Sequence, residues 1–275
     1  MRWKQFFTPV KSIRAPEAEE YMRLESQGDF TLLDVRQPGE YAAGHIPGAK
    51  LIPIAELDKR LDEIDPKKPT LVYCAIGGRS RVAAQMLAGK GFENVINMAG
   101  GFKAWDSHIA MGPEDQGLML FSGNEFYEET LVVAYSLEKG LREFYLSMME
   151  KIKTDKVKSL FQKLSDIEIK HQDRIFDEYL QATGKTIDRK DFEENLVVQA
   201  VEGGLTTSEY INRFKPDWNS PAEIIALAMS IEAQALDLYT RASERNEDQR
   251  AKAALKQIAE EERTHLEALG QLMDA

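Results

Sequence analysis

Two copies of one pattern, set 94 positions apart, constrain this chain more than any other feature. Glu138, Glu168 and His171 form the first copy; the same step gives Glu232, Glu262 and His265, and it also carries Tyr145 onto Tyr239. Each copy is a lone Glu followed thirty residues later by Glu-x-x-His. Around them, residues recur at alternating steps of three and four: Leu131, Ala134, Glu138, Leu141, Tyr145, Met148; then Phe161, Leu164, Glu168, His171, Ile175. Two further stripes read Ile225, Ala228, Glu232, Ala235, Tyr239, Ala242 and Leu255, Ile258, Glu262, His265, Leu269, Leu272. That spacing is the buried seam of a bundle helix, so the carboxylates point inward. A buried, unpaired carboxylate is costly and has to be neutralised or bound to a cation. Three residues turn a helix by about 300°, so both side chains of Glu-x-x-His leave one face and can grip one ion together. One such pair alone would read as an ordinary salt-bridged helix. Two copies in register, each preceded by an inward Glu, favour a dinuclear carboxylate centre over a bundle with internal salt bridges.

Charge divides the chain. Residues 1–112 carry 15 basic against 14 acidic side chains and the remainder 20 against 32, so the net charge of −11 resides in the second half. An acidic bundle suits cation collection and argues against nucleic acid. Residues 113–121 read as a linker between a domain at 1–112 and a bundle at 122–275, because residues 111–117 combine Gly, Pro and charge without apolar period. No apolar run approaches the roughly eighteen residues of a membrane span, and the first residues lack a signal-peptide pattern; a soluble cytoplasmic protein is expected.

The first half alternates short apolar runs at 30–35, 70–74 and 94–97 with helical patterns at 16–26, 55–63 and 79–90. That alternation predicts a parallel sheet with helices on both faces, binding ligands just past the carboxyl ends of its strands. Cys74, the single cysteine, sits at such an end. The loop Cys74, Ala75, Ile76, Gly77, Gly78, Arg79, Ser80 then opens a helix. Its glycines let backbone N–H groups converge on one point, and the helix N-terminus and Arg79 add positive charge. These features predict a thiol with lowered pKa and nucleophilic character rather than an inert core cysteine.

These motifs carry two resemblances. Cys-x-x-Gly-x-Arg-Ser, the upstream Leu33-Asp-Val-Arg36, Glu40-Tyr41 and Gly44-His-Ile-Pro-Gly-Ala49, and the closing Gly100-Gly-Phe-Lys-Ala-Trp105 resemble the rhodanese family over about residues 10–112. That resemblance implies a sulfurtransferase whose Cys74 takes sulfane sulfur as a persulfide, held by the loop N–H groups and Arg79. Asp34 and Arg36 then look like loop-supporting residues, and His45 like a residue packed in its turn rather than a base. Four residues separate Cys74 from Arg79. Related phosphatase and arsenate reductase loops have one more, so the shorter loop is expected to suit sulfur over phosphate. With one cysteine the persulfide has to leave to an external thiol or cyanide acceptor.

Residues from about 120 to 275 resemble the ferritin-like superfamily and, within it, the rubrerythrin-like group. This implies a four-helix bundle with a long crossover at 184–220, which holds Gly203, Gly204 and Pro216 and has room for a short helix. It also implies two iron ions on Glu138, Glu168, His171, Glu232, Glu262 and His265; manganese also suits so carboxylate-rich a set. Tyr145 and Tyr239 would hydrogen-bond to ligand carboxylates. Two departures stand out. Ala235 occupies the place of a further Glu found in typical rubrerythrins, and the chain lacks the four cysteines of their rubredoxin-like tail. Electrons for redox work would have to come from an external donor. Bundles of this group commonly pair, so a homodimer is expected. Three functions fit the motifs: sulfur transfer with di-iron redox chemistry, joint delivery of iron and sulfur, or a sulfide- or oxidant-sensing module. The first uses both complete motifs.

Overall fold

In this computed structural model, residues 9–25, 28–150, 152, 154–194, 196 and 205–273 are described. The chain divides into two compact units, Met1–Asp115 and Gln116–Ala275. The first holds a parallel sheet of β1 (Lys11–Arg14), β2 (Thr31–Asp34), β3 (Lys50–Leu51), β4 (Thr70–Tyr73) and β5 (Val95–Ala99), in the order β1-β5-β4-β2-β3.

Side-chain alternation along these strands builds two cores. Leu32, Leu71, Tyr73, Ile96 and Met98 pack on one face with Ala15 and Ala18 of α1 (Ala15–Leu24) and Tyr41 of α2 (Pro38–Ala43). Leu33, Val72, Val95 and Cys74 pack on the other with Ala83, Ala84 and Leu87 of α3 (Gly78–Gly89). Both faces are therefore covered, as the alternating pattern required. Four segments differ from the sequence reading. The edge strands β1 and β3 and the short helix α2 carry too few apolar residues to announce themselves. The segment 55–63 is not one helix: it forms two 3-10 turns, Leu57–Lys59 and Leu61–Glu63, interrupted at Arg60 with φ −119° and ψ 24°. Arg60 bonds Glu56 and Glu63 instead, while Leu57 and Ile64 reach the core.

The second unit is helical. Its long helices are α4 (Tyr127–Met149), α5 (Asp155–Thr183), α8 (Pro221–Arg245) and α9 (Gln249–Met273). α4 pairs with α5, α8 pairs with α9, and α4 also meets α9, as in a four-helix bundle. The segment between α5 and α8 contains two short helices, α6 (Arg189–Glu194) and α7 (Thr207–Phe214); Gly203 and Gly204 lie outside the described residues. Gly184 ends α5 in the left-handed region, φ 64°, and Ser220 caps α8 by accepting from Glu223 N–H. Leu118–Leu120 forms a 3-10 turn beside α8. The bundle interior is two apolar clusters. Leu131, Ala134, Ile175, Ala235, Tyr239 and Ile258 belong to one; Leu141, Tyr145, Leu164, Ala228, Ile231 and Leu269 belong to the other. Along each helix, the inward Glu falls between members of the two. Among the described residues, no helix is long and apolar enough to cross a membrane.

Candidate functional site

Cys74 lies just past β4, buried at 1% exposure, and its loop bends back over the sulfur. Gly77 takes φ 92°, which places its N–H 3.1 Å from Sγ. Burial opposes the thiolate, but Ser80 and the N–H groups of Ile76 and Gly77 outweigh it and hold the thiol below its ordinary value. Ser80 in turn bonds Asn97 Oδ1 at 2.7 Å, and Asn97 Nδ2 donates to Ser12 Oγ at 3.1 Å. Asn97, buried on β5, was not singled out from sequence, since only strand pairing brings it under the loop. Arg79 reaches the site with its charge already engaged: Glu40 is its main partner, and Cys74 contributes less.

The Gly100-Gly101 segment braces the same loop. Phe102 N–H donates to Cys74 O at 2.7 Å and Lys103 N–H to Ala75 O at 2.9 Å. Gly101 has φ 59°, and a Cβ there would stand 2.2 Å from Cys74 O and 2.7 Å from Ile76 N. Substitution is therefore both strained and blocked by backbone. Gly101→Ala is expected to cost about 3 kcal/mol of stability and to open the Cys74 loop. Urea unfolding, together with a pH profile of Cys74 alkylation shifted toward that of a free thiol, checks this.

Asp34 and Arg36 form a buried pair at 2.7 Å, and Arg36 also donates to Gly44 O at 2.7 Å and stacks over Phe102 at 4.2 Å. The pair thus ties β2 to the bracing segment. His45 is buried, stacked on Tyr41 at 3.6 Å with its Nδ1 3.0 Å from Tyr41 O.

In the bundle, the six repeated residues converge in one layer. Glu138, Glu168, Glu232 and Glu262 have 0% exposure, and His265 has 8%. One ligand atom from each of Glu138, Glu168 and His171 falls within 4.8 Å of the other two, and the same holds for Glu168, Glu232 and His265. Glu168 belongs to both triads. Glu262 approaches through its neighbour, with Oε2 3.3 Å from His265 Nδ1, and the two imidazoles stack at 4.9 Å between centroids. Tyr145 donates to Glu232 Oε1 at 2.6 Å. Tyr239 is fully buried and packs edge-on against Phe121. Gln172 donates to the Glu138 carbonyl at 3.3 Å, a bond that the stripe pattern did not show.

This layer fits metal on its own chemistry. Both oxygens of Glu168, Glu138 Oε1 and Glu232 Oε2 are buried without a hydrogen-bond donor. So many orphaned carboxylate oxygens are costly in an apolar core unless protons or a cation meet them. The carboxyl groups also split in acidity. Burial raises Glu168 well above the usual carboxylate range, reinforced by Glu138 and Glu232. Burial is outweighed at Glu138 by His171, and at Glu232 by Glu262, His265 and Tyr145, so both stay below it. The same burial favours the protonated form of Glu168 when no metal is bound, and an ion at either triad would compete with that proton.

Comparison with known proteins matches both units. The family described as rhodanese-like domain matches residues 17–108, and the family described as rubrerythrin matches residues 129–273. The thiosulfate sulfurtransferase GlpE of Pseudoalteromonas translucida is 36% identical over 86 residues, 31% of this chain and 82% of that protein. The uncharacterized protein YqhL of Bacillus subtilis is 45% identical over 78 residues, 28% of this chain; the chain spans 62% of YqhL. A crystal structure of a rhodanese-like domain protein from Staphylococcus aureus shares 33% identity, covering 37% of this chain and 98% of its own, with a TM-score of 0.34. Matched over more than half its length through the bundle, the chain belongs to the rubrerythrin family and carries a rhodanese-like domain fused ahead of that bundle.

Proposed function

We propose that the chain is a sulfurtransferase that carries sulfane sulfur on Cys74, fused to a di-iron bundle with redox activity. The observation that carries this reading is the Cys74 cradle, where backbone N–H groups and Ser80 favour an anionic sulfur. With thiosulfate as donor, the Cys74 thiolate attacks the outer sulfur. A new S–S bond forms, the old one breaks, and sulfite leaves with its electron pair. The persulfide anion then occupies the centre of the loop. An acceptor thiolate or cyanide attacks the outer sulfur and returns Cys74 as thiolate. Donation of this kind is supported by similarity to a thiosulfate sulfurtransferase.

In the bundle, Glu138, Glu168 and His171 would hold one ion and Glu232 and His265 the other, with Glu168 belonging to both triads and Glu262 beside His265 available to the second. Bound there, iron would supply one-electron chemistry toward oxygen, peroxide or sulfur species. The Tyr145 hydroxyl orients Glu232, and the apolar clusters on either side keep bulk water out. The electrons come from a donor outside these residues.

The test is to mix full-length protein with thiosulfate and follow sulfite release and intact mass. The reading expects one sulfur on Cys74 for each sulfite released, removed as thiocyanate by cyanide. No sulfur on Cys74 with any sulfane-sulfur donor would contradict it. Coupling between the units would appear as sulfur-dependent changes in peroxide consumption that Cys74→Ser removes; peroxide consumption indifferent to that change would mean two independent activities.

A further inference from the structure

The cation beside the sulfur cradle is already paired. Both terminal nitrogens of Arg79, in the first turn of α3, donate to the two oxygens of Glu40 on α2, each at 2.7 Å. Glu40 is fixed from its own side as well, accepting from Gln37 N–H at 3.1 Å. The pair holds the Glu40 carboxyl down at about 2, so it stays ionised throughout the neutral range. An incoming donor therefore meets Arg79 with its charge largely cancelled. Arg81 and Lys103, on the flanks of the loop, are exposed to water and screened by salt. Ile76, between Ala75 and Gly77 in the loop itself, is 69% exposed, and Val82 follows on α3 at 36%. An exposed Ile beside a sulfur-binding cradle offers apolar surface whose burial under a hydrocarbon body would favour binding.

We propose that this mouth selects sulfane-sulfur carriers of low charge with an organic body over the small thiosulfate dianion. Glu40 sets the selection as a positioning residue by cancelling Arg79, and Ile76 provides the apolar contact. The proposal rests on sulfur transfer at Cys74. With an organic thiosulfonate the step is balanced without further reactants: the Cys74 thiolate attacks the outer sulfur, one S–S bond forms, one breaks, and the sulfinate leaves with the electron pair.

Thiosulfate and benzenethiosulfonate make a matched pair of probes. Both leave the same persulfide on Cys74, and they differ by one unit of charge and a ring. The readout is the second-order rate constant for loading Cys74 of the full chain, followed by intact mass, taken as the ratio of thiosulfate to benzenethiosulfonate. Glu40→Gln is expected to raise that ratio about fivefold at low salt, the effect of one uncovered charge near the surface, and the gain should vanish in high salt. Glu40→Asp keeps the charge and should hold the ratio near that of the wild type. Ile76→Ser should raise the ratio by slowing benzenethiosulfonate. If Glu40 only braces the fold, Glu40→Gln slows both donors alike and leaves the ratio unchanged, which overturns the proposal. Should that variant fail to fold, the wild type decides. A compensated Arg79 predicts a ratio nearly independent of salt, and a steep loss of thiosulfate loading with salt overturns it. Failure of both donors to leave sulfur on Cys74 is a separate result, which overturns the transfer reading and this selection with it.

Discussion

Replacing Glu168 with leucine is expected to stabilise the metal-free protein and to abolish the stabilisation that divalent metal gives the wild type. Both effects follow from the place of one carboxyl. Glu168 is fully buried, both its oxygens lack a hydrogen-bond donor, and it faces the carboxyl groups of Glu138 and Glu232. Without a cation it either keeps a proton or buries a charge whose nearest counter-group is the His171 imidazole, with Nδ1 3.5 Å from Oε2. Exchanging a buried polar group without donors for an apolar side chain of similar shape removes a desolvation cost of about 1–3 kcal/mol. With metal the sign reverses. Glu168 is the residue shared by the two triads, so its loss removes a ligand from each. In the wild type, metal at about a hundredfold excess over its dissociation constant would add about 2.7 kcal/mol, and the variant should show almost none of it. Thermal unfolding with and without manganese checks both arms. A variant less stable than the wild type without metal would mean that Glu168 is already satisfied by protein groups.

The same carboxyl fixes a pH signature. Its folded pKa is raised, so its proton contributes stability that is fully present below the unfolded value of about 4.3 and is lost as pH rises through the folded value. Glu138 and Glu232, held below the usual range, act oppositely. Their contribution is present above the unfolded value and is lost as pH falls through their folded values. The metal-free protein should therefore lose stability as pH rises through the folded value of Glu168, and Glu168→Leu should flatten that limb while the part of the acid limb that belongs to Glu232 persists.

Cys74→Ser is expected to reduce sulfur transfer by at least about 10³-fold while leaving bound metal unchanged. Serine fits the cradle and keeps its N–H contacts, but its hydroxyl does not ionise near neutral pH and oxygen forms no persulfide. The decrease should appear in sulfite release from thiosulfate in a single turnover. Residual transfer within about tenfold of the wild type would mean that the sulfur is carried elsewhere on the protein.

Legibility in the sequence followed the range over which each feature is specified. The bundle seam is local: Glu138 between Ala134 and Leu141, or Glu262 between Ile258 and Leu269, reads as an inward carboxylate from spacing of three and four alone. The structure places these residues in the layer between two apolar clusters. The strands around Leu33, Val72 and Ile96 were visible because both faces of the sheet are covered and their apolar runs are continuous. β1 and β3 were not, since four and two residues at the edges of a sheet carry little apolar pattern. The two 3-10 turns at 57–63 share their apolar spacing with a helix over so short a span, and only the backbone at Arg60 separates them. Side-chain partnerships between distant elements were the least visible part. Glu40 was legible as part of a motif but not as the partner of Arg79, and Asn97 not as the support of Ser80, because each contact depends on how α2 or β5 is brought beside α3.

The most direct test of the whole account is metal content per chain, by mass spectrometry on protein from iron-replete cells and again after anaerobic reconstitution. The account predicts about two irons per chain, falling sharply in Glu168→Leu. Little or no metal under either condition would contradict it, leaving the bundle a scaffold and Cys74 the sole reactive centre of the chain.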